Sequence, residues 1–403
     1  MSLANTSNSY GTVAKSLHWT TAFLILTLFP LGIIANEMPY DTSEELAAKA
    51  WMFSLHKTAG VALFFVAIAR ILWAVTQPKP GLLHPERKVE TLAAETVHWL
   101  LYGSLVVVPL SGWIHHAATT GFAPIWWPFG QNLPLVPKSE ALAGMTAGAH
   151  WVLTKVLALS LVLHIAGALK HHVVDKDATL RRMWFGGGTQ PKTRGGHAHA
   201  LPIATALVLW GVALGGGSAL GVYKPHGAVA ATAELAEVQS DWQVQDGTLA
   251  ISVTQLGAQV DGAFADWTAA ISFDETVENG VAGTVDVTIA IGSLTLGSVT
   301  SQAMGPDYFD TQSFPTATFS ADILPDVDGT YNAQGTLTIR DQSLPVTLPF
   351  NLSVQGDEAV MLGSLPLDRR DFNIGDNMAD ESSLAFGVDV RIELTAVRGA
   401  PGV

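Results

Sequence analysis

The first half of this 403-residue chain contains apolar stretches long enough to cross a lipid bilayer. A transmembrane helix needs roughly 20 consecutive apolar residues. Such a segment must also satisfy its backbone polar groups internally, so an isolated span in lipid is helical. We predict five spans, at about residues 14–35, 52–76, 93–115, 148–172 and 201–223. The chain is therefore expected to begin as a helical membrane protein.

Charge is distributed unevenly along the chain and predicts its orientation. Residues 1–200 carry a net charge of +5, whereas residues 201–403 carry −19. The loops after the second and fourth predicted spans are rich in Lys and Arg, and the loop between the first two is acidic. Because basic loops stay on the cytoplasmic side, we predict an N-terminus inside the cell and a C-terminal domain on the outer side.

Composition excludes several classes of function. The chain has no cysteine, so disulfides, thiolate metal sites, iron–sulfur clusters and cysteine nucleophiles are ruled out. It has no long basic face that would neutralise phosphates, which argues against a nucleic-acid partner. With a mean hydropathy of +0.31, the expected partner is the lipid bilayer.

Four histidines lie inside or at the head of predicted spans, where ionisable side chains are costly and usually functional. His18 belongs to the first span, His56 to the second, and His150 and His164 to the fourth. The last two are 14 residues apart, which is about 21 Å of helix and nearly four turns, so both rings point the same way. In antiparallel spans, His18 then lies at the depth of His164, and His56 at the depth of His150.

Two stacked histidine pairs are what two b-type haems require, because haem iron takes axial ligands from side chains on facing helices. We therefore predict two haem b cofactors. The predicted ligand pairs are His18 with His164 for the inner haem, and His56 with His150 for the outer haem.

Other residues near these histidines extend the prediction. Arg70 lies 14 residues after His56, at the depth of the inner haem, where it is expected to pair with a haem propionate. Gly60, one turn after His56, would leave space for a flat macrocycle. Three histidines of the third span are alternative ligands: His98, His115 and His116.

The segments around these histidines resemble the prokaryotic cytochrome b561 family. They are Ser16–Trp19, Leu55–Gly60, Ala149–Trp151 and Leu163–His172, and Asp177–Met183 resembles the family's ending after the fourth span. The resemblance covers about residues 8–185. It implies a four-helix, di-haem electron carrier of the bacterial inner membrane that exchanges electrons with ubiquinone, and relatives suggest superoxide as the reductant at the periplasmic face.

The second half changes character after a polar and Ala-rich tether over residues 224–240. Short alternating runs broken by Gly, Asp and Pro predict strands, and regular short strands without helices are typical of a sandwich or closed barrel. The predicted strands include Thr248–Thr254, Val281–Ile291, Ala317–Ala321, Gly335–Ile339 and Leu384–Leu394. We divide the chain into a membrane domain at 1–190, a loop, fifth span and tether at 191–240, and a β-domain at 241–398.

This β-domain is similar to the YceI-like family. The resemblance lies in Phe309–Phe319, Gly335–Ile339, Pro345–Leu348 and Asp371–Ile374. It implies a lipocalin-like barrel of eight strands whose apolar lumen holds an isoprenoid quinone. Gln255 stands where relatives often carry His, and Asp341–Leu344 replaces a turn that usually contains Gly. The residues expected to line the lumen are aromatic: Phe264, Trp267, Phe273, Phe309, Phe314 and Phe319.

Small residues recur one turn apart in the fifth span. Gly211 and Gly215 form one such pair, and Gly217 and Gly221 form another. This spacing permits close helix approach in lipid. Either a homodimer contact or packing on the chain's own bundle would use it.

Two functions fit the sequence. In the first, the chain is an enzyme that passes electrons between superoxide and the ubiquinone pool, with the barrel supplying or accepting quinone. The strongly acidic second half would repel an anion, although Lys57, Lys138 and Lys155 could form a local positive funnel. In the second, the chain is a quinol-fed electron relay or an isoprenoid carrier that does not oxidise superoxide.

Overall fold

A computed structural model describes residues 2–119, 121–186, 199–223, 233–327 and 329–399. His197 and part of the predicted tether lie outside the described residues. Contacts divide the chain into two compact units. The first unit comprises Met1–Met38, Trp51–Thr119 and Pro124–Pro225; the second comprises Pro39–Ala50, Thr120–Ala123 and His226–Val403.

Five helices of the described residues are long and apolar enough to cross a membrane, which confirms a multi-pass membrane protein. They are α1 (Thr12–Glu37), α2 (Ser43–Thr76), α3 (Lys88–Ala118), α4 (Glu140–Val173) and α6 (Ala200–Ala219), with a short α5 (Thr179–Arg182) after α4. Several helices are longer than their apolar cores. In α2, for example, Glu44 and Glu45 occupy the first turn, where acidic side chains favour the helix N-terminus.

The helices of the first unit pack around shared apolar clusters. α3 packs against α4, and α6 packs against both. Leu28 of α1, Leu63 of α2 and Leu105 of α3 belong to one buried cluster. α6 ends at Ala219, earlier than the predicted span, because Gly221 takes a positive φ of 71° that terminates the helix.

The second unit contains an antiparallel sheet of ten strands in its described residues. They are β1 (Trp242–Gln255), β2 (Ala258–Phe264), β3 (Trp267–Phe273), β4 (Gly283–Ala290), β5 (Leu294–Thr295), β6 (Thr316–Pro325), β7 (Thr330–Ile339), β8 (Gln342–Gln355), β9 (Glu358–Asp368) and β10 (Leu384–Arg398). The order in the sheet is β3-β4-β6-β7-β8-β9-β10-β1-β2-β5. A one-turn helix, α7 (Thr300–Ala303), lies between β5 and β6.

The strand number corrects the expectation of eight. β1 pairs with β10 along almost its whole length but with β2 only from Leu249 onward. The first residues of β1 adjoin β3 instead, where the amide of Asp241 donates to the carbonyl of Ile271 at 2.9 Å. The two-residue β5 adds to β2 beyond this point. The sheet therefore curls on itself: β1 pairs with β10 on one side, and on the other side it adjoins β3 first and then β2. Alternate side chains of the strands face inward and form an apolar interior.

Candidate functional site

His56 and His150, predicted to form the outer pair, are each held in one orientation by a backbone hydrogen bond. His56 Nδ1 lies 3.1 Å from the carbonyl oxygen of Leu28, and His150 Nδ1 lies 2.9 Å from that of Val108. A carbonyl only accepts, so each Nδ1 donates and each Nε2 keeps its lone pair. This is the arrangement of metal-binding histidines, whose second nitrogen is fixed by a hydrogen bond. Both Nε2 atoms are therefore ready to act as iron ligands.

Two glycines make room for these rings, and the sequence reasoning missed them. A Cβ on Gly32 of α1 would lie 2.8 Å from the His56 ring, and one on Gly112 of α3 would lie 3.0 Å from His150 Nδ1. Any larger residue would push the imidazole out of its hydrogen bond. Each glycine faces a histidine on a different helix. Its role therefore cannot be predicted from sequence until the helices that pack together are known.

The inner pair brings together α1 and α4. The ring centres of His18 and His164 are 6.2 Å apart. Histidines on facing helices are the side chains that would hold a b-type haem. Arg70 lies at the same level, with Nη2 3.1 Å from His18 Nδ1 and its guanidinium 5.2 Å from the ring centre of Tyr102.

The alternative ligands occupy distinct positions. The His98 ring centre is 5.0 Å from that of His164, and its Nδ1 donates to the carbonyl of Ala94 at 2.6 Å. His115 and His116 adjoin each other, with ring centres 4.5 Å apart, and His115 Nδ1 donates to the carbonyl of Ala143 at 2.9 Å.

The residues of the first unit fit b-type haem. Bis-imidazole ligation needs two histidines with free Nε2 atoms, and the outer pair supplies both. Gly60 and Gly167 leave the helix surface open beside two of these histidines, because a Cβ built on either would meet no atom within 4 Å. Gly60, four residues after His56, was predicted to leave space for the macrocycle, and Gly167 lies three residues after His164.

The second unit encloses a cavity of about 280 Å³ inside the curled sheet. Its wall comes from inward-facing alternate residues of the strands, such as Leu249, Ile251 and Val253 of β1. Five of the six predicted aromatic residues line it: Phe264, Trp267, Phe273, Phe309 and Phe319. Phe314 is not among the lining residues. Its ring lies 5.9 Å from the guanidinium of Arg340, in the connection before β6.

Polar side chains on this wall gather at one end of the cavity. Gln255 is only 4% exposed, and its Oε1 has no hydrogen-bond partner among the described residues. Gln302 Nε2 donates to the hydroxyl of Tyr308 at 2.9 Å. Burial raises the pKa of Tyr308, which keeps its phenol neutral. The cavity thus pairs a long apolar wall with a small polar end, the arrangement that suits a ligand with a polar head and an apolar tail.

Arg369 organises that polar end and was missed by the sequence reasoning. Its side chain is 4% exposed, and its guanidinium donates to several backbone carbonyls. These belong to Ala385, Ile374, Gly375, Met378 and Leu384. Because Leu384 pairs with Gln255 in the sheet, this network fixes the strand ends beside the Gln255 amide. Nothing in the sequence distinguishes Arg369 from its exposed neighbour Arg370.

Other charged residues of the first unit already have partners. His171 is partly buried and lies 2.6 Å from Asp177 Oδ2 and 3.1 Å from Glu90 Oε1. Lys170 Nζ binds Glu90 and Asp175 in the same cluster, so a cation already neutralises these carboxylates. Lys138 Nζ donates to the carbonyls of Ala117 and Thr119, at 3.0 and 2.8 Å. Lys57 is 7% exposed, and Lys155 lies over the ring of Trp151.

Together these features define a class: a multi-pass helical membrane protein with paired histidines between its helices, continued by an antiparallel β-domain with an apolar cavity. Comparison with known families gives the particular assignment. The prokaryotic cytochrome b561 family matches residues 9–186, and the YceI-like domain family matches residues 235–397. The chain belongs to the prokaryotic cytochrome b561 family and carries a YceI-like domain at its C-terminal end.

Two relatives of the membrane half agree with this assignment, and one solved structure resembles the β-domain. Cytochrome b561 homolog 2 of Escherichia coli K12 is 34% identical over 188 residues, covering 45% of this chain and 95% of the relative. A Yersinia pestis protein named probable superoxide oxidase CybB is 26% identical over 187 residues, covering 46% and 98%. The crystal structure of Burkholderia cenocepacia BcnA is 30% identical, covers 38% of this chain and 96% of its own, and has a TM-score of 0.36. The family indicates haem-dependent electron transfer in a membrane.

Proposed function

We propose that this protein is a di-haem oxidoreductase of the bacterial inner membrane that transfers electrons between superoxide on the periplasmic side and ubiquinone. One observation carries the proposal: in the helical unit the ring centres of His18 and His164 are 6.2 Å apart, and His56 and His150 each have Nδ1 committed to a backbone carbonyl. Bound haem would supply one-electron redox chemistry. The chain would use His56 and His150 for the outer haem and His18 and His164 for the inner haem.

The protein's own groups hold these ligands and balance the charge beside them. With Nε2 of His18 on iron, Nδ1 must carry the ring hydrogen and can no longer accept from Arg70. Arg70, a permanent cation, then needs an anionic partner at this depth, and a haem propionate provides one. The carbonyls of Leu28 and Val108 keep the outer imidazoles in the correct tautomer without adding charge.

The β-domain would bind an isoprenoid quinone on the periplasmic side. Its apolar cavity suits an isoprenoid tail, and the Gln255 amide with the Gln302–Tyr308 pair suits an oxygen-bearing ring. Attachment to the membrane unit would raise the local concentration of quinone near the haems. The basic loops and the acidic first loop support an N-terminus in the cytoplasm.

Superoxide as the reductant rests on the name of the Yersinia pestis relative and on the expected outer haem. The lysine funnel gives it little support. Lys138 is committed to carbonyl oxygens, and Lys155 lies over Trp151. A quinol-fed electron relay that leaves superoxide untouched is therefore the second candidate. The predominantly acidic charge of the second half favours it.

Rapid mixing of the oxidised, purified protein separates the two candidates. Visible spectra are recorded after anaerobic mixing with superoxide, with and without ubiquinone. Haem reduction followed by reoxidation only in the presence of ubiquinone is the expected result. Haems that remain oxidised with superoxide but are reduced by ubiquinol would establish the quinol-fed relay. Haems that respond to neither reagent would overturn both candidates.

A further inference from the structure

A second buried guanidinium lies at the inner end of the helical unit. Arg182, the last residue of α5, is only 8% exposed. Its Nη1 donates to the carbonyl of Gly81 at 3.1 Å, but its Nε and Nη2 are buried without a hydrogen-bond partner. Among the described residues no carboxylate lies within ion-pair distance of it. Arg182 thus keeps two unsatisfied donors and a full positive charge away from water.

Such a group is costly without a counter-ion. A buried charge that is neither paired nor fully hydrogen-bonded is strongly destabilising. A nearby acidic residue is already occupied, because Asp177 Oδ2 binds His171 and Asp177 Oδ1 accepts from the amide of Thr179. Tyr10, 5.7 Å from the guanidinium, presents the face of its ring, which compensates only part of a charge. The chemistry missing from this site is an oxyanion.

The residues around Arg182 adjoin the inner histidine pair. The indole of Trp19, next to His18 in sequence, donates to the carbonyl of Met183 at 2.9 Å. Lys15 Nζ, one turn before Trp19, donates to the carbonyl of Trp184 at 3.0 Å. These bonds hold the segment that follows Arg182 against the turn of α1 that carries His18.

Tyr10 is affected by both Arg182 and Arg70, the residue predicted from the sequence to pair with a haem propionate. Burial raises the pKa of Tyr10, and the positive charges of Arg182 and Arg70 both act to lower it. The guanidinium of Arg182 lies 5.7 Å from the centre of the Tyr10 ring. Arg70 in turn contacts His18. The inner site has two arginines, and a haem has two propionates.

We infer that Arg182, through its unpartnered Nε and Nη2, binds a propionate of the inner haem as a positioning residue, with Arg70 serving the other propionate. This inference rests on the proposed haem sites. Guanidinium binds carboxylate through parallel hydrogen bonds. A fixed positive charge at this position disfavours the oxidised haem, whose ferric iron carries one more positive charge than ferrous iron. Arg182 therefore raises the reduction potential of the inner haem above the value it would have with a neutral residue at position 182.

The test is a potentiometric titration of the full-length protein, with haem content measured first. Arg182→Gln removes the charge, Arg182→Lys keeps it, and Arg181→Gln is the matched control because Arg181 is exposed. In Arg182→Gln we expect one of two haems to become about tenfold harder to reduce, which is about 59 mV for a one-electron couple. Arg182→Lys should shift the same haem less, and Arg181→Gln should leave both unchanged.

Other outcomes are equally informative. If Arg182→Gln loses one haem, Arg182→Lys decides: retention of both haems in this charge-keeping variant supports the inference, and loss of the same haem overturns it. Unchanged potentials in a fully loaded Arg182→Gln protein also overturn it. Loss of tightly bound phospholipid phosphate with unchanged potentials would assign Arg182 to a lipid head group and also overturn it. A wild-type protein without haem would contradict the proposed function itself.

Discussion

The two compact units place polar groups in apolar surroundings in opposite ways. In the helical unit, a few histidines and arginines are inserted among long apolar helices. In the β-unit, an apolar wall surrounds the cavity, and polar side chains such as Gln255 and Tyr308 lie at one end. Under the proposed function, the first kind of site would depend on single residues, whereas the second would distribute its binding over many contacts.

The sharpest test of this contrast is removal of one ligand. His56→Ala or His150→Ala should eliminate the outer haem, leaving one haem per chain, because no second imidazole replaces the lost bond. Haem absorbance per protein and low-temperature spectra measure the loss. His172→Ala, on an exposed position of α4, should retain both haems. Full haem content in His150→Ala would show that another histidine, such as His116, is the ligand.

In the β-unit, the largest single-residue effect should be on stability. Arg369→Met removes the donor to several buried carbonyls, and we expect a loss of about 3–5 kcal/mol in the free energy of unfolding of this unit. Hydrogen exchange of β10 amides in the full-length protein measures it. Arg370→Met is the control, because Arg370 is exposed, pairs with the neighbouring Asp368 and lies over the ring of Phe386 without binding buried carbonyls among the described residues. Equal protection in the two variants would refute the role of Arg369.

Crowding the outer site should have a smaller effect than removing its ligand. Gly32→Ala places a Cβ 2.8 Å from the His56 ring, and overpacking of this kind costs about 1–3 kcal/mol. We therefore expect about tenfold weaker binding of one haem, measured by transfer to a haem acceptor. Gly215→Ala is the matched helical control, since its Cβ meets no atom within 4 Å. Equal haem retention in both would place the Gly32 contact outside the haem site.

The smallest effect is expected at the polar end of the cavity. Gln255→Leu removes one hydrogen-bonding group while the apolar wall remains, so isoprenoid quinone should bind up to about tenfold more weakly. Mass spectrometry of quinone that co-purifies with the full-length protein measures this. Gln334→Leu, on an exposed position of β7, serves as control. If Gln255→Leu lost quinone completely, the cavity would depend on one residue as strongly as the haem sites do.

Sequence reasoning predicted the five apolar helices and one contact between histidines of different helices. Five apolar stretches predicted five helices, and the antiparallel register of four histidines predicted which would meet. His18 and His164 do adjoin each other in the structure. The lumen of the β-unit was harder, because Phe314 and Phe319 look alike in sequence but only Phe319 lines the cavity. Alternation identifies an inward face only after the strand boundaries are known.

The features that sequence reasoning missed depend on tertiary contacts. The importance of Gly32 follows from the position of an imidazole on another helix, and that of Arg369 from carbonyls that the chain's folding brings together. Likewise, Arg182 and Arg181 are adjacent and chemically identical, yet only Arg182 is buried. The resemblance to eight-stranded barrels also gave the wrong strand number, because it did not reveal how β1 is shared between its neighbours.

The most direct test of the account is the number of haems bound to the purified, full-length protein. A pyridine haemochrome assay combined with protein quantification should give two b-type haems per chain, which titrate as two separate one-electron steps. Two haems would match the two histidine pairs of the helical unit. One haem per chain, or none, would contradict the assignment of His18, His56, His150 and His164 as two pairs of axial ligands.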